Sequence, residues 1–128
     1  VFELGTPAWA EPRAWNPAWV RFLAPVEEAA GLSQPISRCL LAYASDMGLV
    51  STGHLPHQQD INRSQLQMAS LDHSLWIHRP VPINQWLLFH KRTSSAQGAR
   101  AMVHAEFFSS NGDLLASVTQ EGLLRTTA

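Results

Sequence analysis

The strongest pattern of hydrophobic and polar positions along the chain is an apolar stripe with helical spacing between residues 33 and 53. Ser33 can cap a helix, Pro35 is tolerated in a first turn, and Gly53 can end the helix. The pattern predicts one amphipathic helix, with a stripe of about four turns that packs against a broad apolar surface. The stripe consists of Ile36, Cys39, Leu40, Tyr43, Met47 and Val50.

Strand-like segments lie on both sides of this helix. Residues 18–23 suit a short strand before it, and residues 54–64 form a polar loop after it. Four further strands are predicted at 67–78, 86–92, 99–108 and 114–121, with a loop at 93–98 and a hairpin signal at Asn111-Gly112. One helix followed by consecutive antiparallel strands indicates an α+β domain, in which a curved sheet packs with one face on the helix.

Composition agrees with one globular domain and narrows the partners. The chain has 128 residues, of which 45% are hydrophobic and 15% are charged. A formal net charge of -1 gives no electrostatic reason to bind nucleic acid or an anionic membrane, so neither is expected as a partner. Cys39 is the only cysteine, which excludes an internal disulfide and favours the cytoplasm. Its place in the stripe predicts a small core residue rather than a nucleophile.

The N-terminal part of the chain differs from the rest in composition. Residues 1–17 form a Pro- and Trp-rich segment, which we separate from a domain at 18–128. Because the chain opens with Val1, we expect a processed chain or a piece of a longer one. We also expect Trp9, Trp15 and Trp19 to pack on the domain or on a partner, since they carry much apolar surface.

Polar residues at otherwise apolar positions are the candidates for chemistry. Asp46 lies on the edge of the helix stripe, where either a solvated aspartate or a cleft carboxylate fits the pattern. In the last strand Gln120 shares a face with Ala116 and Val118, so its amide points inward and needs partners. These partners can be backbone groups of the core or a bound water. Ser70 follows in the strand after the helix, and Asp72 on the same face is a rival acid–base group.

Several common sites have no signature in the sequence. There is no G-x-S-x-G elbow, no H-E-x-x-H motif, no paired cysteine spacing and no glycine-rich phosphate loop. No metal and no separate cofactor are therefore expected. Six histidines lack a metal-ligand spacing and are scattered at His54, His57, His73, His78, His90 and His104.

Three segments together resemble the type II acyl-CoA thioesterases (the TesB-like family). They read LAYASD at 41–46, ASLDHSLWIHRP at 69–80 and LASVTQEG at 115–122, and the likeness extends over residues 38–125. The resemblance implies a hotdog fold, a long helix wrapped by a curved antiparallel sheet. It also implies that this chain is the C-terminal unit of a double hotdog. Since a lone unit leaves a sheet edge open, we expect a homo-oligomer or pairing with an N-terminal hotdog unit.

The resemblance further implies an activity and its residues. An acyl-CoA thioesterase would hydrolyse fatty acyl-CoA to the free fatty acid and coenzyme A, the latter being part of the substrate. Family motifs place the catalytic group on Asp46 as the base for water, with Ser70 and Gln120 holding that water. Ser70 stands where many relatives have Thr, and the hydroxyl is kept. Asp72 and His73 are expected to be structural.

Three rival interpretations stay open at this point. A hotdog domain can bind acyl-CoA without turning it over. A hotdog dehydratase or hydratase would use a His–acid pair, and Asp72 beside His73 is the only neighbouring pair of that kind. The chain can also be an inactive fragment of a thioesterase.

Overall fold

The computed structural model describes residues 2–5, 15–23 and 32–127. Two helices, short 3₁₀ turns and one antiparallel sheet account for these residues, which confirms the predicted α+β class. The helices are α1 (Gln34–Ala44) and α2 (Leu49–His54), and the 3₁₀ turns are Leu55–His57 and Arg63–Gln65. The strands are β1 (Phe2–Gly5), β2 (Trp15–Phe22), β3 (Leu66–Ser70), β4 (Ser74–Ile77), β5 (Leu87–Gln97), β6 (Arg100–Phe108) and β7 (Leu114–Thr126).

The sheet curls around the helices and has the order β1-β2-β5-β6-β7-β3, with β4 also paired to β7. Strands β3 and β4 lie one after the other along the same edge of β7, β3 opposite residues 122–126 and β4 opposite residues 116–119. Strand β1 pairs with β2, so part of the Pro- and Trp-rich segment belongs to the sheet. The boundary between residues 17 and 18 stays a prediction, and Trp9 lies outside the described residues.

The prediction of one strand over residues 67–78 is wrong, because the chain leaves the ladder at residues 71–73. Asp72 is the physical reason. Its Oδ1 accepts the backbone N–H of Glu121 at 2.8 Å, so a side-chain acceptor takes the place of a backbone carbonyl. The break lets His73 turn away from the strand alternation that its neighbours follow.

The predicted loop at residues 93–98 is also wrong, since β5 continues to Gln97 and joins β6 through a two-residue turn. Gly98 and Ala99 both have φ of 59°, as a type I′ hairpin turn requires. The small polar residues before the turn therefore mark an exposed β-ribbon. A register shift between Thr93 and Ser95 marks a bulge in this ribbon.

The predicted single helix over residues 33–53 is two helices. Ser33 caps α1 as expected, since its side chain accepts the N–H of Ile36. The chain then turns at residues 45–48, where Gly48 has φ of 70°, the left-handed conformation that glycine adopts without strain. Gly53 lies inside α2 instead of ending a helix. A Cβ there would stand 2.4 Å from Cβ of Ala101, so the glycine lets α2 approach β6 closely.

The face of α1 that meets the sheet is not the predicted stripe. Ser37, Leu41 and Ala44 are buried, whereas Tyr43 is 69% exposed and Cys39 is exposed. The prediction of Cys39 as a core residue is therefore wrong. The buried face of α1 combines two small side chains with Leu41, and the larger apolar face is turned toward β1, where Tyr43 stacks on Phe2.

The core fills the space between the helices and the inner face of the sheet. Phe89 and Phe107 stack there with ring centroids 4.1 Å apart. Leu41 and Leu49, one from each helix, are fully buried against them in the same cluster. On the outer face of the sheet, Trp15 stacks on the imidazole of His90. The core thus holds α1, α2 and the turn between them in a fixed place above the sheet.

Candidate active site

Gln120 is a fully buried polar side chain at the base of the candidate site. Strand alternation turns it inward with Val118, and it is 0% exposed, which confirms the predicted orientation. Its Nε2 donates to Oγ of Ser70 at 3.0 Å, and its Oε1 lies 2.6 Å from Nδ1 of His73. The amide is therefore satisfied by side chains of Ser70 and His73. The alternative left open by the sequence, an amide satisfied by backbone groups, does not hold.

Asp46 lies above Ser70, in the turn between α1 and α2. Its side chain is 55% exposed, and its Oδ1 accepts a hydrogen bond from the Ser70 hydroxyl at 3.2 Å. A continuous chain of hydrogen bonds thus runs from Asp46 through Ser70 to Gln120. The three residues predicted from the sequence come together, although they belong to the helix turn, to β3 and to β7.

His73 and Ser45 join the same network, and neither was predicted as part of it. His73 Nδ1 is 3.9 Å from Oδ1 of Asp46, and its Nε2 is 2.8 Å from Oγ of Ser45. The sequence had marked His73 as structural. The polar pair at residues 72 and 73, inside an otherwise strand-like pattern, was the signal that could have drawn attention to it.

Asp46 stands where a polar cleft and an apolar groove meet. The cleft has a volume of about 310 Å³ and contains Ser51, Arg63 and Ser70 beside Asp46. A second depression of about 390 Å³ joins Asp46 to Tyr43 and Met47. Beside it lies an apolar groove of about 550 Å³ lined by Phe2, Leu4, Phe22, Leu40, Tyr43 and Met47.

Lys91 supports the turn from below, on the inner face of β5. It is 6% exposed, and burial lowers its pKa from 10.5 to about 8. Its ammonium lies 4.7 Å from the centroid of the Phe89 ring, a cation–π contact that offsets part of the desolvation. A Cβ on Gly48 would stand 3.3 Å from Lys91 Nζ. Gly48 therefore serves the turn both by its left-handed backbone and by its small size.

Two other features bear on the kind of site. Within residues 2–5, 15–23 and 32–127, no group of three or more His, Cys, Asp or Glu side chains could hold a metal ion. In the same part of the chain, no helix is long and apolar enough to cross a membrane.

A curved sheet wrapped on a helix, with a buried amide linked to a cleft carboxylate, defines a hotdog domain of the thioesterase class, and comparison with known proteins agrees. The structure superposes on acyl-CoA thioesterase II TesB2 from Mycobacterium marinum with a TM-score of 0.84 and 32% identity, over 99% of this chain and 50% of that one. Residues 16–123 match the model of the family described as acyl-CoA thioesterase. The chain therefore belongs to the acyl-CoA thioesterase family.

Two curated relatives match this chain over a smaller share of their own length. Acyl-CoA thioesterase 2 of Haemophilus influenzae is 39% identical over 90 residues, which are 70% of this chain and 32% of the relative. Acyl-coenzyme A thioesterase 8 of Mus musculus is 38% identical over 87 residues, 68% of this chain and 27% of the relative. The match thus spans about a third of these relatives, so their whole activity is not carried over by similarity alone.

Proposed function

We propose that this domain hydrolyses fatty acyl-CoA thioesters to free fatty acid and coenzyme A, with Asp46 as the base for the attacking water. The single observation that carries the proposal is the hydrogen-bonded chain Asp46–Ser70–Gln120 at the junction of a polar cleft and an apolar groove. A thioester needs both environments, because its acyl chain is apolar and its coenzyme A part is polar.

The chemistry follows from the donors and acceptors of this chain. Oδ1 of Asp46 is held by the Ser70 hydroxyl, which leaves Oδ2 to accept a proton from water. That water attacks the thioester carbonyl carbon as its proton passes to Asp46. The tetrahedral intermediate then expels coenzyme A as a thiolate. The thiolate takes up the proton that Asp46 received from water. Ser70 contributes by fixing the direction of the carboxylate and of the water, and the buried Gln120 contributes by holding Ser70.

The acyl chain is placed in the apolar groove that opens beside Asp46. Tyr43 and Met47 line both the depression at Asp46 and the groove, so the two spaces are neighbours along α1. Leu4 of β1 lines the groove but not the depression that contains Asp46. Because apolar contacts gain free energy with each buried methylene, longer chains would bind more tightly here.

The rival dehydratase or hydratase activity is less consistent with the geometry. Asp72 is engaged by the backbone N–H of Glu121, and His73 faces Gln120 and Ser45. The two neighbours therefore do not pair with each other, and the carboxylate nearest to His73 is Asp46, whose Oδ1 is 3.9 Å from Nδ1 and beyond hydrogen-bond distance. The proposal requires no cofactor, and it retains the cytoplasmic location and the paired or homo-oligomeric assembly expected from the sequence.

The experiment that tests the proposal is thiol release from a panel of acyl-CoA esters by this chain, with and without an N-terminal hotdog unit. Asp46→Asn should lower kcat by at least about 100-fold, the scale of a lost general base. Asp60→Asn is the matched control, because Asp60 is an exposed carboxylate in the turn after the 3₁₀ segment.

Three results would contradict the proposal. Hydrolysis that is unchanged by Asp46→Asn would remove Asp46 from the mechanism. Acyl-CoA binding without hydrolysis, with the N-terminal unit present, would favour the binding-only hotdog. A lack of both binding and hydrolysis under the same conditions would indicate an inactive fragment.

A further inference from the structure

We propose that His73 is a positioning residue that holds the Gln120 amide in its working orientation, an inference that rests on the proposed thioesterase function. His73 occupies the break between β3 and β4 and reaches under the turn that carries Asp46. Its two ring nitrogens contact Gln120 and Ser45, so it links β7 to the end of α1. It acts on the reaction through Gln120, without touching the substrate.

The direction of every hydrogen bond in the network follows from Asp46. An ionised carboxylate only accepts, so the single hydroxyl proton of Ser70 is directed at Asp46. Oγ of Ser70 must then accept from the amide NH₂ of Gln120, which turns Oε1 toward His73. Nδ1 of His73, 2.6 Å from that oxygen, must therefore carry a hydrogen.

The reversed amide does not satisfy the same network. With NH₂ facing His73, the oxygen of Gln120 would face Ser70 and require a proton from it. Ser70 has one proton, so its bond to Asp46 would be lost. Gln120 is fully buried, so no water reaches its amide to replace a partner that it loses. Only a donor at the Nδ1 position selects the orientation in which Ser70 supports Asp46.

Ser45 allows this donor to persist in both charge states of the ring. Its hydroxyl proton has two acceptors in reach, Ala42 O at 2.7 Å and Nε2 of His73 at 2.8 Å. When the ring is neutral, Ser45 donates to Nε2. When the ring is protonated, Nε2 donates to Ser45 and the hydroxyl turns to the Ala42 carbonyl. In both cases Nδ1 keeps its hydrogen for Gln120.

A pair of near-isosteric variants separates the two ring nitrogens. In His73→Asn the amide nitrogen takes the place of Nδ1 and can still donate to Gln120, whereas in His73→Gln it takes the place of Nε2. We expect His73→Gln to lower kcat by about 100-fold, the cost of a misplaced catalytic group, with KM and Tm little changed. His73→Asn should retain kcat within about fivefold of the original chain by the same argument. His78→Asn, on an exposed histidine, is the control.

A double-mutant cycle tests whether His73 acts through Gln120. In a Gln120→Leu background, His73→Gln should cause no further loss of kcat, because the group it positions is already absent. Equal losses in His73→Asn and His73→Gln, accompanied by equal falls in Tm, would overturn the proposal in favour of a purely structural role. Full additivity with Gln120→Leu would overturn it as well.

The tautomer of His73 gives a readout that does not depend on turnover. When the ring is neutral, nitrogen NMR should show the hydrogen on Nδ1, opposite to the tautomer favoured by a free ring. Gln120→Leu should release this preference. A hydrogen on Nε2 in the original chain would overturn the proposal even if thioester hydrolysis is observed. A chain with the Nδ1 tautomer and no hydrolysis would instead contradict the proposed function and keep the assignment of His73 to Gln120.

Discussion

Gln120 donates to Ser70 across 50 positions of sequence, and the contact exists because β3 and β7 pair with Ser70 opposite Gly122. Gln120 is two residues before Gly122, so it shares the inner face of β7 with it and lies one step diagonally from Ser70. A slip of one residue in this register would turn Gln120 outward and separate the pair. The same backbone pairing therefore determines the edge of the sheet and the centre of the candidate site.

The Ser70 hydroxyl is expected to matter for its hydrogen bonds rather than for its size. Ser70→Ala should lower kcat for thioester hydrolysis about 10- to 100-fold, since Asp46 and Gln120 each lose a partner. Ser70→Thr keeps the hydroxyl and should retain most activity. Ser94→Ala, on the outer ribbon, is the control for loss of an exposed hydroxyl. An active Ser70→Ala variant with normal kcat would remove Ser70 from the water-holding group.

The sequence predicts inward and outward faces of strands better than it predicts breaks. Gln120 was placed correctly because a strand alternates strictly between its two faces, and a buried polar residue is conspicuous in that pattern. The end of β3 was missed because it depends on the Asp72 side chain meeting the Glu121 backbone, a contact between positions far apart in sequence. His73 was missed for the same reason, since its partners lie on α1 and β7.

The buried face of α1 was the other feature that the sequence pattern predicted wrongly. The exposed Tyr43 and the buried Ser37 invert the usual order, because the apolar stripe of α1 is turned toward β1 and the groove. Periodicity alone reports an apolar face, and it cannot say whether that face meets the domain's own sheet or lines a groove. In this chain part of the apolar face lines the groove beside Asp46.

The far end of the groove should discriminate between acyl chain lengths. Leu4→Asn should raise KM for a long-chain acyl-CoA about tenfold, the free energy of one or two buried methylenes, and leave acetyl-CoA unaffected. Ile36→Asn is the matched control, because Ile36 is an exposed apolar residue of α1 that does not line the groove. Equal effects of Leu4→Asn on short and long substrates would place the acyl chain elsewhere.

The close approach of α2 to β6 should make Gly53 intolerant of a side chain. Gly53→Ala would bring two Cβ atoms to 2.4 Å and should lower the free energy of unfolding by about 1–3 kcal/mol, the usual cost of overpacking. In an Ala101→Gly background the same change should cost less, because the opposing methyl is gone. Gly112→Ala is the control, because Gly112 has a φ of 86° and open space around it. The stability that this variant loses comes from backbone strain, so Ala101→Gly should not restore it. Urea denaturation measures the cost of Gly53→Ala and of Gly112→Ala, each with and without Ala101→Gly. Identical costs of Gly53→Ala in the two backgrounds would contradict the contact.

The buried ammonium of Lys91 should make stability depend on pH in the alkaline range. Its pKa is about 8 in the folded chain and about 10.5 when unfolded, so between these values the unfolded chain binds more protons. Below about pH 8 the buried ammonium lowers the free energy of unfolding by its full amount. This loss is recovered as pH rises from about 8 to 10.5. Lys91→Met should raise the free energy of unfolding at pH 7 by up to about 3 kcal/mol, from roughly 1.4 kcal/mol per pKa unit, less the cation–π contact.

The difference between Lys91→Met and the original chain should shrink as pH rises above 8, because the lysine then enters the fold uncharged. Urea denaturation at intervals between pH 7 and about 10.5 measures this difference, with Arg63→Met as the control for loss of an exposed cation. Lys91 is the only lysine in the sequence, so one side-chain nitrogen resonance reports its pKa directly. A resonance that titrates near 10.5, with a stability difference independent of pH, would mean that Lys91 reaches solvent and that the turn at Gly48 does not rest on a desolvated ammonium.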